Sequence, residues 1–386
     1  YYYFSASTPI FAANFKRAMS LKRIKPLLAV AFSVYICFFC NSSFAQETPH
    51  HEAASTEAPD HKKEEKFDVA STILEHIRDD HNWHLWGHHS VPLPVILKTD
   101  KGFEVFSGAQ LVDEHHEPVV YNGNYPYKSF EGKIKIVNED GTVNEEASKK
   151  VLDVSITKNV ASLLFTVLLL IIIFVSVANA YKKRGVTSAP KGFQSLIEPI
   201  IIFVRDEIAK PYLGDRYTAF MPFLLTIFFF IWINNLLGMV PFFPGGANVS
   251  GNIAFTLTLA LFTFIITTVN GKKHYWQHIF WMPGLPVPMK IFLIPIEVMG
   301  VFIKPISLTI RLFANMTAGH ILVLSLIALI FILNSLAAAA LAVPFTVFIS
   351  MIELLVGFIQ AFIFAMLSAL YFGMALEEHH EEELVL

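Results

Sequence analysis

Long apolar runs, separated by short polar punctuation, organise most of this chain. Val160 to Ala180 is predominantly apolar over about 21 residues, enough for one membrane span of roughly 20. Phe193 to Lys210 mixes Ile and Phe with Glu198, Arg205, Asp206, Glu207 and Lys210, the pattern of an amphipathic helix lying along a membrane interface. Phe220 to Val240 and Ile253 to Val269 are two further spans, joined by an uncharged turn, Pro241 to Asn252. From Ile291 to Leu333 the helical pattern runs for about 43 residues, or ~65 Å, roughly twice the ~30 Å hydrocarbon core. A helix of that length has to tilt steeply, bend at Pro295 or Pro305, or break. A last helix, Val343 to Leu376, leads to an acidic tail. The pattern predicts an all-α integral membrane protein with five transmembrane helices, the last two a long tilted hairpin, plus a small mixed N-terminal region.

The N-terminal part follows other rules. Met19 opens a secretory pattern: basic Lys22, Arg23 and Lys25, apolar Leu27 to Phe39, then Ser43-Phe44-Ala45 before Gln46. Residues 19–45 therefore read as a signal peptide, with an uncleaved anchor as the other reading, and residues 1–18 as upstream read-through. Residues 46–66, rich in Glu, Lys, His, Pro and Ala, read as a disordered linker. Residues 67–157 form a polar periplasmic region, in which Val119 to Val137 carries the turn and alternation pattern of one or two hairpins. The membrane domain spans 158–380, and 381–386 is a cytoplasmic tail.

Charge sets the orientation. Tyr181-Lys182-Lys183-Arg184 and Gly271-Lys272-Lys273-His274 are basic ends that belong on the cytoplasmic side. An exported N-terminus crossing inward once agrees with the first of them, and five crossings leave the C-terminus cytoplasmic, in a bacterial inner membrane. Only 16% of the chain is charged, mean hydropathy is +0.51, and Tyr217 to Ala375 holds seven charged residues. Soluble domains average about 25%. A net charge of −3 gives no reason to expect a nucleic-acid partner. The two cysteines, Cys37 and Cys40, lie in the signal segment, so no disulfide framework or Cys-based metal site is available, and no cofactor is implied.

Ten of the fifteen histidines fall between Gln46 and Lys158. His81, His84 and His88 would share a face if a helix formed there, a weak candidate for a transition-metal site. The bland reading, favoured by Trp83, Trp86 and Phe103 nearby, makes them polar neighbours on a packed surface.

Charges inside spans are costly and are usually functional. Glu297, Lys304 and Arg311 are spaced by seven, so one stripe of the long helix carries all three, with Ser307, Asn315 and Ala318 close by. Lys304 also reads as a side chain snorkelling to the headgroups. His320, nine residues past Arg311, faces the opposite way, and Glu353 and Gln360 share a face of the last helix. A facing His320–Glu353 pair follows from this arithmetic as an expectation.

The segment Ser307-Leu-Thr-Ile-Arg-Leu-Phe-Ala-Asn-Met316 resembles the motif of subunit a of F-type ATP synthases. Asn235-Leu-Leu-Gly-Met-Val-Pro241, Ser250-Gly-Asn-Ile-Ala-Phe-Thr256 and Gln360-Ala-Phe-Ile-Phe are similar to that family as well, so the likeness covers about residues 153–380. The resemblance implies a stator subunit with two proton half-channels beside a rotating c-ring, in a complex that includes the subunit b peripheral stalk. Arg311 then corresponds to the arginine facing the ring, with Asn315 and Gln360 beside it. His320 and Glu353 correspond to the external half-channel pair, and Glu297 to the cytoplasmic half-channel. Asn252 stands at the external entrance where the family often has Asp, and Ala254 where it has Asn. The implied ion is H⁺; Na⁺ stays open, because the ligands that select it belong to the ring. A subunit of this kind catalyses nothing alone. The competing class is a secondary ion transporter or channel with a periplasmic sensor domain, which would normally show repeated halves; no internal repeat is present.

Overall fold

The computed structural model describes residues 73, 77–86, 89–113, 118–185, 189–240, 245–282, 285–333 and 335–377. The expected read-through, signal peptide, linker and tail (1–18, 19–45, 46–66 and 381–386) lie outside the described residues.

The N-terminal domain is built of short antiparallel strands. β1 (Asn82–Trp86) pairs with β2 (His89–Pro92), and β3 (Pro94–Thr99) pairs with β4 (Gly102–Ser107) on one edge. β5 (Tyr121–Asn122), β6 (Pro126–Phe130) and β7 (Lys133–Ile136) form a meander, and β8 (Leu152–Asp153) closes the other edge of β3. The two-residue period of a strand puts Val95 and Leu97 of β3 and Ile134 and Ile136 of β7 into one core with Phe106, Leu111 and Tyr127. The β6–β7 hairpin turns on Glu131-Gly132, both at positive φ (54° and 76°), the backbone a tight two-residue turn requires.

This overturns the helical grouping of the histidines. His84 sits in β1, paired across to Ser90, and His88 lies outside the described residues. β1 has a period of two rather than 3.6, so His84 does not continue a helical face with His81. Among the described residues no group of three or more His, Cys, Asp or Glu is placed to hold a metal ion.

Among the described residues, five helices are long and apolar enough to cross a membrane. α1 (Lys158–Arg184) is the first. α2 (Phe193–Phe203) continues through a wide π turn, Val204–Ala209, and a short helical turn, Lys210–Leu213. Its apolar face, Ile197, Ile201, Val204 and Ile208, is buried in the main core, while Arg205 and Lys210 both bind Asp206 at 2.7 Å. Gly214, at φ 50°, then reverses the chain into α3 (Tyr217–Met239). α4 (Ile253–Asn270) returns, and α5 (Lys273–Phe280) is a short helix whose approach is tied to the end of the chain by Lys272 N–H donating to the Ala375 carbonyl at 3.0 Å.

α6 (Val287–Leu333) has 47 residues and α7 (Leu336–Leu376) has 41. Of the three ways expected for the long helix, it does not break: Pro295 and Pro305 both sit inside an unbroken α6. Both long helices begin earlier than the apolar pattern indicated, α6 at Val287 and α7 at Leu336. α7 packs on α3, α4 and α6, with Phe372, Ala369, Ala365 and Ala361 against Leu224 and Phe228 of α3. Alanines here let the helix backbones approach closely.

Candidate functional site

Arg311 lies at the middle of α6. Leu308, Leu312 and Met316, one turn apart, form the stripe of α6 buried against the bundle, while Ile310, Ala314 and Ala318 are exposed. Arg311 stands on the border between these faces, half-buried, and Asn315 is exposed one turn on. No hydrogen bond or ion pair to Arg311 occurs among the described residues, and none joins it to Gln360, which is buried on α7. Only 11% of the most apolar stretch of α6 is buried, against 28% or more in the other four candidate spans.

Nine residues further, the structure brings His320 and Glu353 together. His320 Nδ1 is 3.4 Å from Glu353 Oε1, with side chains 14% and 7% exposed. Gly319 makes room for this: a Cβ there would stand 3.0 Å from Glu353 Oε1 and 3.2 Å from its Cδ. One turn along α7, the Gly357 carbonyl accepts a hydrogen bond from Asn235 Nδ2 at 3.0 Å, and Asn235 Oδ1 accepts one from Ser250 Oγ at 2.6 Å. Asn235 and Ser250 are both 1% exposed. Beside them Thr166 of α1 donates to Asn234 Oδ1 at 3.1 Å. Asn234, Asn235, Thr166 and Ser250 were missed as individual residues in the sequence. Their mark was present: paired amides in an otherwise apolar span, where each polar group needs a partner.

The remaining candidates fall elsewhere. Glu297 is half-buried, fourteen residues before Arg311, or ~21 Å along the helix. Lys304 is half-buried, its ammonium 5.4 Å from the Tyr371 ring centroid on α7, a cation–π contact. Asn252 is the N-cap of α4, its Oδ1 accepting from Ala254 N–H at 2.9 Å.

A second polar cluster joins the N-terminal domain to α1. Half-buried Asp79 accepts from Thr157 Oγ1 at 2.7 Å and from the Asn159 N–H at 3.0 Å, capping the helix start from a distant segment. His81, 1% exposed, has Nε2 3.3 Å from Asp153 Oδ2, an ion-pair distance off the line of a hydrogen bond, and its Nδ1 has no hydrogen-bond partner. Burial alone would discharge this imidazole, but Asp153, Asp80 and Asp79 outweigh it and hold its pKa above the ordinary value. Burial likewise opposes ionisation of Asp153, and His81 with Ser155 overcomes it, so that carboxyl stands below its usual range. For Asp79 burial wins, and its pKa is raised.

Residues 160–373 match the family described as ATP synthase A chain. The chain belongs to the ATP synthase A chain family. Residues 72–154 match a separate family described only as a domain of unknown function. Relatives of this family member include ATP synthase subunit a 2 of Chlorobaculum tepidum, 46% identical over 229 residues, 58% of this chain and 64% of the relative. ATP synthase subunit a of Chlorobium phaeobacteroides is 46% identical over 239 residues, 60% of this chain and 68% of the relative. That of Myxococcus xanthus is 43% identical over 240 residues, 60% of this chain and 77% of the relative. The chain thus spans about two thirds of the length of the Chlorobaculum and Chlorobium relatives, and the family match, residues 160–373, is the helical domain that carries Arg311.

Proposed function

We propose that this chain is the membrane stator subunit of an F-type ATP synthase, guiding protons through two half-channels past a rotating ring of carboxylate-bearing subunits. One observation carries the reading: a guanidinium at the midpoint of the least buried helix has no counter-charge among the described residues. A charge at that depth is costly unless a partner meets it, and the apolar surface flanking it, with Ile303, Ile306 and Ile310 exposed, fits another membrane subunit. The partner implied is a ring carboxylate, with a subunit b stalk holding the stator still. The N-terminal domain lies outside and the C-terminus in the cytoplasm of a bacterial inner membrane.

The residue types fit the task. A carboxylate crossing lipid travels neutral and must ionise to exchange its proton. A fixed cation favours the ionised form and lowers the carboxylate's pKa as it passes. Guanidinium keeps its charge at any working pH, so Arg311 also prevents protons from crossing directly between the half-channels. His320 and Glu353 exchange protons with the external side, with Asn235 and Ser250 holding the adjoining polar wall. Glu297 serves the cytoplasmic side. Each proton driven by 100 mV contributes about 2.3 kcal/mol.

The test is ATP-driven pumping in inverted membrane vesicles. Arg311→Ala is expected to abolish pumping while the complex still assembles, and Arg311→Lys to fail as well. Normal pumping by Arg311→Ala would end the proposal. Pumping that requires Na⁺ would reassign the ion alone.

A further inference from the structure

Among the described residues, the N-terminal domain meets the membrane domain at α1 and at the loop that leads to the His320–Glu353 pair. Its first foot is α1, capped by Asp79 and held by Lys158 N–H donating to the Asp80 carbonyl at 2.9 Å. Its second foot is Trp83 of β1. The indole, 4% exposed, donates from Nε1 to the Gly245 carbonyl at 3.0 Å. The same ring shares an apolar cluster with Leu93 of its own domain, with Ala247 and Val249 of the α3–α4 connection, and with Phe255 of α4.

The one regular element of that connection among the described residues is the turn Val249–Gly251, which also packs on α1, α3, α4 and α6. The backbone of the connection folds back on the end of α3: Gly246 N–H donates to the Leu237 carbonyl at 3.2 Å, and a Cβ on Gly245 would stand 2.3 Å from the Val240 carbonyl. The loop therefore lies between the ends of the membrane helices and Trp83. It carries Ser250, whose hydroxyl holds Asn235, which in turn holds the Gly357 carbonyl one turn from Glu353. The indole is thus linked to the turn of α7 next to the carboxylate by its bond to Gly245, the loop backbone from Gly245 to Ser250, and the two hydrogen bonds of Asn235.

We propose that the N-terminal domain is a clamp on the external proton entrance, with Trp83 a positioning residue that acts through the 245–252 loop on the Glu353–His320 pair. The inference rests on the half-channel reading above. It gives the domain a working role: a module tied to α1 alone would be an appendage, whereas one whose buried tryptophan grips this loop sets where Ser250 and Asn235 stand. Trp83→Phe is the informative change, since it keeps the ring in the apolar cluster and removes the one donor to Gly245.

The assembled complex in inverted vesicles gives the readout, with the external face in the lumen. In Trp83→Phe, complex abundance and ATP hydrolysis should match the parent. Passive proton conduction through the membrane sector should fall about fivefold, the factor one neutral hydrogen bond carries. Its dependence on lumen pH should shift, and amides of residues 245–252 should exchange hydrogen faster while those of α1 do not. Trp83→Ala should do more; if it fails to accumulate, the Phe variant decides. Wild-type conduction and an unshifted pH profile in Trp83→Phe overturn the clamp. Arg311→Ala, run alongside, separates the two claims. If it stops pumping, the Trp83 result judges the clamp alone; if it pumps normally, the half-channel reading falls and takes the clamp with it.

Discussion

At the scale of single residues, the spacing of charges within apolar runs carried most of the information. Seven-residue steps put Glu297, Lys304 and Arg311 on one stripe, and the nine-residue offset of His320 turned it toward α7, where it lies 3.4 Å from Glu353. Exchanging the two residues, as His320→Glu with Glu353→His, is expected to retain more proton conduction than either single change, because a basic and an acidic group still face each other. Equal loss in all three, measured as passive conduction in stripped vesicles, would remove the pairing as a cause. Gly319 was silent in the sequence, since a glycine in a helix looks like a flaw until its neighbour is known. Gly319→Ala would place a methyl 3.0 Å from Glu353 Oε1, and the buried carboxylate must give way. Conduction should fall several-fold, and the shorter Glu353→Asp in the same chain should restore part of it. The Tyr371 ring beside Lys304 was silent for a related reason, since nothing in the lysine's own segment reveals it.

At the scale of elements, hydropathy located every long helix, and the ends moved by a few residues because end positions depend on caps and neighbours. α4 begins where Asn252 caps it, and α7 extends back to Leu336 on an Ala-rich stretch of high helix propensity. What composition left open was how the helices touch. Gly373 of α7 lies against the Tyr212 backbone, where a Cβ would stand 2.3 Å from the carbonyl oxygen. A backbone group in a packed turn cannot swing aside, so Gly373→Ala should lower the thermal midpoint of the purified complex and separate α7 from the end of the α2 segment. The expected cost is about 1–3 kcal/mol, typical of overpacking, and an unchanged midpoint would show that the contact yields freely. The histidine segment failed at this scale, because three histidines at helical spacing are also compatible with a strand, and pairing with His89–Pro92 decided the matter.

At the scale of the whole molecule, two modules meet through buried charge. His81 carries a raised pKa, so its contribution to the junction is complete below about pH 6.5 and is lost as pH rises through the higher folded value. The raised Asp79 acts with the same sign, complete below about pH 4 and lost as pH rises through its folded value. Asp153, lowered, contributes above about pH 4 and loses that contribution as pH falls through its folded value. The junction should thus tighten from pH 8 to pH 6. Hydrogen exchange of residues 77–113, corrected for the intrinsic rate, should slow over that interval, and His81→Gln should flatten the change; an unaltered slope in the variant would exclude His81. The sequence by itself determined the membrane class and the five long helices, because hydrophobic period and length answer to the bilayer, a solvent that acts on each segment alone. The tertiary structure decided which polar groups meet: Glu353 across Gly319, Asn235 between Ser250 and Gly357, and Trp83 on the loop above them. Those contacts join positions tens to more than a hundred residues apart, and packing fixes their geometry, which no local pattern encodes.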